Sequence, residues 1–151
     1  MFYAELPAWM LSQAHQRAHA ILAEAFAGVG ARAYDHRVLD VLVRSAAPLS
    51  QIGIGTLSRL DRRDVSVTLA ELEKAGFIER TPDPDDARRN VVVLTPAGRE
   101  RQRLLSALAA DAQEQILDPL DAEARAAFLG ALRLLTGGRP VVGEDERERT
   151  G

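Results

Sequence analysis

The chain has 151 residues, 46% of them hydrophobic and 27% charged, with a net charge of −3. This make-up fits one globular domain with a sizeable core, and it argues against unselective polyanion binding while allowing arginines gathered on one face. No apolar run reaches the roughly 18 to 20 residues that span a bilayer, the amino terminus lacks the basic and apolar regions of a signal peptide, and the absence of cysteine excludes disulfides, thiolate metal sites and cysteine nucleophiles; a cytoplasmic location is expected.

Over residues 7–29, Leu6, Met10, Ala14, Ala18, Ile21, Leu22, Ala25 and Phe26 recur at helical steps and form one apolar stripe. Gly28 and Gly30 end it. Asp35 is expected to cap a second helix that buries Val38, Leu39, Leu42 and Val43. After the break at Ala47-Pro48-Leu49, Ser50 should cap a short third helix over residues 51–58. Gly53 and Gly55 lie inside that helix, each costing about 0.8 to 1 kcal/mol relative to alanine. Asp61 is a strong N-cap for a fourth helix, whose inward edge is Val65, Leu69 and Leu72, and Gly76 supplies the stop.

Residues 77–81 and 91–95 are rich in strand formers, and the Pro82-Asp83-Pro84-Asp85-Asp86 segment between them must turn, so the two make a hairpin. A fifth helix should open at Pro96 and run to residue 117. Asp121 should cap a sixth that ends near residue 135. Leu104, Leu105, Leu108, Ile116, Leu117, Phe128, Leu129, Leu132 and Leu135 supply more apolar surface than the middle of the chain needs. Either the monomer has a larger helical core, or a second copy covers the surplus.

Helix, glycine stop, strand, charged turn, strand is the order of a winged helix. The whole sequence of elements resembles the MarR family of bacterial winged helix-turn-helix transcription regulators over residues 6–136. The most specific match is Asp86-Ala87-Arg88, followed after five residues by Leu94-Thr95-Pro96-Ala97-Gly98. Leu72-Glu73-Lys74-Ala75-Gly76-Phe77-Ile78-Glu79-Arg80 is the second, at the helix-to-strand join. The resemblance implies a mainly α fold with a small β-hairpin, built as one domain over residues 1–136. Residues 32–96 would be the DNA-binding winged helix, residues 6–30 and 97–136 the dimerisation helices, and residues 137–151 a disordered tail. It further implies a homodimer on double-stranded DNA, most simply a repressor released from a near-palindromic promoter site by a small-molecule effector.

On the fourth helix, an inward Val65, Leu69 and Leu72 turn Arg63, Val67, Ala70 and Lys74 outward, with Asp64 and Ser66 on the flanks. Arg63 is suited to the bidentate pair with guanine, Val67 to a thymine methyl, and Ser66 to a base edge or phosphate. In the wing, Arg88 is the choice for minor-groove insertion, Asp86 for orienting it, and Arg89 for phosphate. Ser50 and Gln51 open the third helix toward phosphate, and Arg62 and Arg59 suit backbone contacts. The chain departs from the family where Arg63 and Asp64 replace small hydroxyl residues and Val67 replaces a frequent arginine.

The effector is expected to touch Trp9, His15, His19 or Tyr34. His15 and His19 lie one helical turn apart, a spacing that suits a metal only if His36 or a carboxylate completes the set. No metal site or cofactor is assigned, and no phosphate loop, catalytic triad or nucleophilic cysteine points to an enzyme. The alternative is a winged-helix module that docks on protein without binding DNA, a reading that Asp64 favours.

Overall fold

A computed structural model describes residues 2–137, so the tail expected to be disordered lies, from residue 138 on, outside the described residues. After a short 3-10 turn at Tyr3–Glu5 come α1 (Pro7–Ala27), α2 (Ala33–Arg44), α3 (Gln51–Ser58) and α4 (Arg62–Lys74). The hairpin β1 (Ile78–Pro82) and β2 (Asn90–Leu94) follows, then α5 (Pro96–Leu117) and α6 (Ala122–Leu135). The fold is mainly helical with a two-stranded wing, as the sequence predicts.

Side-chain caps set the helix starts. Ser50 Oγ accepts from the Gly53 amide at 3.1 Å and Asp61 Oδ1 from the Asp64 amide at 2.8 Å. Thr95 and Asp121 do the same for α5 and α6, at 3.0 and 2.8 Å. Each oxygen satisfies an amide that has no carbonyl partner in the first turn. Asp35 departs from expectation. It sits inside α2 rather than before it, and its Oδ2 accepts from the Arg32 amide at 2.9 Å. A carboxylate three residues into a helix reaches the N-cap amide as readily as a cap oxygen reaches the third residue, so the sequence fits both registers. Val43 is a second correction. It remains 37% exposed in the last turn of α2, where a helix has fewer neighbours to cover it.

The strands are antiparallel, with Ile78 opposite Leu94 and Pro82 opposite Asn90. Val92 also donates to the Leu49 carbonyl at 2.8 Å, so the break before α3 is pinned to the wing. Two glycines mark close approaches. At Gly55, where α3 faces α4, a Cβ would sit in contact with Val65 Cγ2 at 3.4 Å, close to an ordinary van der Waals distance, so the packing leaves little spare room without demanding glycine. A Cβ at Gly98 would lie 1.9 Å from the Phe77 carbonyl oxygen, so the first turn of α5 fits the base of the hairpin only without a side chain.

The core gathers around α2, against which α3, α4, β2 and α5 pack. Val38, Leu39, Ile54, Val65, Leu69, Ile78 and Leu105 are almost wholly removed from water. Thr68 is buried beside Leu69, a position the apolar pattern of α4 does not reveal. α1 packs along α5 and contributes only Phe26 to the fully buried set, while α6 contributes no buried residue. No described helix is long and apolar enough to cross a membrane.

Candidate nucleic-acid interface and effector cavity

Because Val65, Thr68, Leu69 and Leu72 anchor one face of α4, its other face is fixed outward. Arg62, Arg63, Ser66 and Val67 are all exposed on its first two turns. Ser50 and Gln51 stand at the start of α3. Gln51 and Arg62 share a cavity of about 660 Å³ between α3 and α4, together with Ile52, which is 83% exposed. The fold therefore places the third-helix and fourth-helix candidates side by side.

The wing is ordered by its own carboxylates. Asp86 Oδ1 accepts from the Arg88 amide and from Arg88 Nε, both at 3.1 Å, and Oδ2 accepts from Nη2 at 3.4 Å. Arg89 Nε lies 3.8 Å from the same carboxylate. These bonds from Arg88 hold the Asp86 carboxyl below its ordinary pKa. Asp83 Oδ1 accepts from the Asp85 amide at 2.9 Å, and the Asp83 amide donates to the Arg89 carbonyl at 2.9 Å, which closes the loop. The Arg88 side chain is nevertheless 91% exposed. It is aligned without being covered.

A second cavity, of about 700 Å³, lies between α1, the start of α2 and the start of α4. His19 and Ala23 line it from α1, Ala31 to Tyr34 from the second helix start, and Asp61, Arg63, Asp64, Val67 and Thr68 from α4. Of the four effector candidates, His19 and Tyr34 meet here. Trp9 does not line it; its ring packs edge-on against Tyr3, with centroids 6.2 Å apart. His15 is also outside, exposed and stacked on His19 at 6.1 Å.

His36 does not complete a metal set with those two. Its Nε2 lies 3.2 Å from Ser106 Oγ and its ring 5.6 Å from that of Phe26. Among the described residues no group of three or more histidines or carboxylates is arranged to hold a metal. Burial lowers the His36 pKa, and Asp40 opposes that shift while Arg44 and Arg37 add to it. Gln102 Nε2 donates to Ser106 Oγ at 2.8 Å and to Asp40 Oδ1 at 3.3 Å. Ser106 is left with its hydroxyl proton for His36, which suits a neutral imidazole accepting at Nε2. This chain of polar groups joins α2 to α5, and Arg101 ties α5 to the α1–α2 connection and to the turn before β1, donating to the Val29 carbonyl at 2.6 Å and lying over the Phe77 ring. The four-residue spacing of Gln102 and Ser106 on α5 was visible in the sequence; their partner on α2 was not.

Comparison with known proteins fits this geometry. A family model described as MarR family matches residues 28–89, from the end of α1 to the turn of the wing, just before β2. The solved structure of a probable transcriptional regulator from Pseudomonas aeruginosa is 32% identical, covers 89% of this chain and 99% of its own, and superposes with a TM-score of 0.81. The chain belongs to the MarR family. It is a winged helix-turn-helix, DNA-binding transcription regulator, and the regulators of this family are not enzymes. The PcaV regulator of Streptomyces coelicolor, solved in complex with its natural ligand, is 27% identical over 90% of this chain and 95% of its own, with a TM-score of 0.76. Bordetella bronchiseptica BpsR, whose DNA binding is regulated by 6-hydroxynicotinic acid, shares the fold at 23% identity, over 91% of this chain and 97% of its own, with a TM-score of 0.81. No curated protein matches the chain.

Proposed function

We propose that this MarR-family regulator is a homodimeric repressor, acting in the cytoplasm on a near-palindromic operator and released when a small organic effector fills the cavity between α1, α2 and α4. One observation carries the reading: the first turns of α4 form both an exposed, outward face and a wall of the cavity. An occupant cannot sit there without touching the helix that reads DNA. The volume suits a small organic ligand. BpsR supports the same logic, since its DNA binding answers to 6-hydroxynicotinic acid.

In this reading residues 32–96 bind DNA. Arg63 pairs with a guanine edge, Val67 and Ser66 line the groove, and Arg62, Ser50 and Gln51 hold phosphate. Arg88, oriented by Asp86, enters the minor groove, with Arg89 on the backbone. The helices within residues 6–30 and 97–136 join the two copies. Met10, Leu11, Leu104, Leu134 and Leu135 are large apolar side chains left exposed on α1, α5 and α6, which a partner would cover. Two recognition helices related by a twofold then face successive major grooves.

Binding to the DNA flanking its own gene, followed by fluorescence anisotropy with and without 6-hydroxynicotinate or 4-hydroxybenzoate, tests the reading. Arg88→Ala should weaken binding to all sequences and lower the salt slope by about 1, whereas Arg63→Ala should also change base preference. The protein-docking alternative keeps one supporting feature, the carboxylates of Asp64 and Glu71 on α4. It prevails if the protein ignores that DNA even at low ionic strength.

A further inference from the structure

The turn from α3 to α4 passes through an uncommon backbone conformation. Arg59 has φ 53° and ψ 38°, in the left-handed region, and among the described residues it is the only one besides glycines with a positive φ. The cause is local. Its amide and that of Leu60 both donate to the Gly55 carbonyl, a helix ending that requires one left-handed residue. Ser58 before it is buried, Leu60 after it packs against the core, and Asp61 then caps α4. The reversal therefore falls on position 59. Elsewhere the chain meets the same need with glycine: Gly30, Gly76 and Gly137 hold the positive-φ positions that follow α1, α4 and α6. Glycine would adopt this conformation freely, whereas a Cβ strains it. The side chain of Arg59 has to contribute something that glycine cannot.

Its surroundings indicate what. Arg59 is exposed, as are Arg62 and Arg63 on the first turn of α4. Among the described residues none of the three lies within ion-pair distance of a carboxylate. Residues 59–64 thus present three guanidiniums against the carboxylates of Asp61 and Asp64, and Asp61 is engaged in the α4 cap. Leu60, next to Arg59, lines the cleft between α3 and α4 together with Gln51 and Arg62. The turn therefore stands at the edge of the surface that the two helices share.

We propose that Arg59 is a further DNA contact: the left-handed turn holds its guanidinium toward a phosphate beside the groove that α4 enters. This rests on the reading of α4 as the groove-entering helix. A guanidinium offers phosphate oxygens parallel N–H donors, and such a contact reads no base. It fixes where α4 sits along one strand, which leaves base choice to the residues further into the helix. The strained backbone is the stability lost at a functional position.

Thermal unfolding, and anisotropy titration of the DNA flanking its own gene and of an unrelated duplex at several salt concentrations, test the proposal on the full-length protein. Arg59→Gly removes the strain and the charge together. Its melting temperature should rise by about 2 to 4 °C. Its affinity should fall about tenfold for both duplexes, and its salt slope by about 1. The ratio between the two duplexes should stay within about twofold of native, because a phosphate contact carries no sequence information. Arg59→Lys keeps both the Cβ and the charge, so its melting temperature and salt slope should remain native while affinity falls less than in Arg59→Gly.

Unchanged affinity and slope in Arg59→Gly would overturn the proposal and leave the regulator reading intact, since the native protein would still bind. Weaker binding with an unaltered slope would overturn it too, because the shape of the turn and not the charge would then be responsible. So would a melting temperature that fails to rise, for the turn would then carry no strain. A native protein that ignores both duplexes even at low ionic strength would remove the regulator reading and this contact together.

Discussion

α4 and α6 are similar amphipathic helices with different fates. α4 buries Val65, Thr68, Leu69 and Leu72, whereas α6, with Phe128, Leu129, Leu132, Leu134 and Leu135, buries nothing fully. An apolar stripe states only that a helix needs a partner. α4 finds its partners in α2, α3 and β1 of the same chain; α6 lacks comparable cover. The half from α2 through the wing is therefore covered within one chain, and the terminal half leaves apolar surface exposed on α6.

Cutting into each stripe should break or sustain that contrast. Leu69 is wholly buried, so Leu69→Ala should cost about 2 to 5 kcal/mol in urea unfolding. Leu134, at 84% exposure, should cost less than about 0.5 kcal/mol on the same change in the isolated subunit. Similar losses at both sites would mean that α6 is covered within its own chain. The next effect lies in assembly. Leu134→Glu combined with Leu135→Glu should raise the dimer dissociation constant at least about tenfold in sedimentation equilibrium, since each carboxylate would have to be desolvated. An unchanged constant would move the interface elsewhere.

The same contrast explains what could be read in advance. Ser50, Asp61 and Asp121 announce their helices because a cap acts over three residues, within reach of local pattern. The α4 face was legible for the same reason. Asp35 misled because a carboxylate serves equally well at the N-cap or three residues inside. Thr68, the Leu49–Val92 pairing and the link from His36 to Ser106 escaped because their causes lie far away in the chain. The cavity shows this most clearly. His15 and His19 share a helical face, yet only His19 lines it, together with residues from the starts of α2 and α4. Periodicity gives a residue's face but not how far along the helix its neighbours extend.

The join between the two halves should respond to pH. Burial depresses the His36 pKa below the ordinary imidazole value of 6.5, so the unfolded chain takes up this proton first as pH falls. The contribution to stability is complete above pH 6.5 and is lost as pH drops from 6.5 toward the folded-state value. Urea midpoints measured across that window should fall for the native protein, and the slope should be shallower in His36→Gln. Equal slopes would mean that this histidine does not feel its burial.

The smallest effect on folding should come from the wing. Asp86 is only half-buried and Arg88 is exposed, so solvent screens the bonds between them and Asp86→Asn should barely change the melting temperature at neutral pH. Whatever the depressed Asp86 pKa contributes is present above the ordinary carboxylate value of 3.8 and is lost as pH falls from 3.8 toward the folded-state value, so acid should draw the two proteins together rather than separate them. DNA binding should respond differently. Arg88 would keep its charge but lose the carboxylate that aligns it, so affinity should fall without the drop of about 1 in salt slope expected of Arg88→Ala. Matching salt slopes for the two variants would show that the carboxylate serves charge placement as much as alignment. An unaltered affinity would show that the wing turn, closed by Asp83 and the Arg89 carbonyl, orients Arg88 without it.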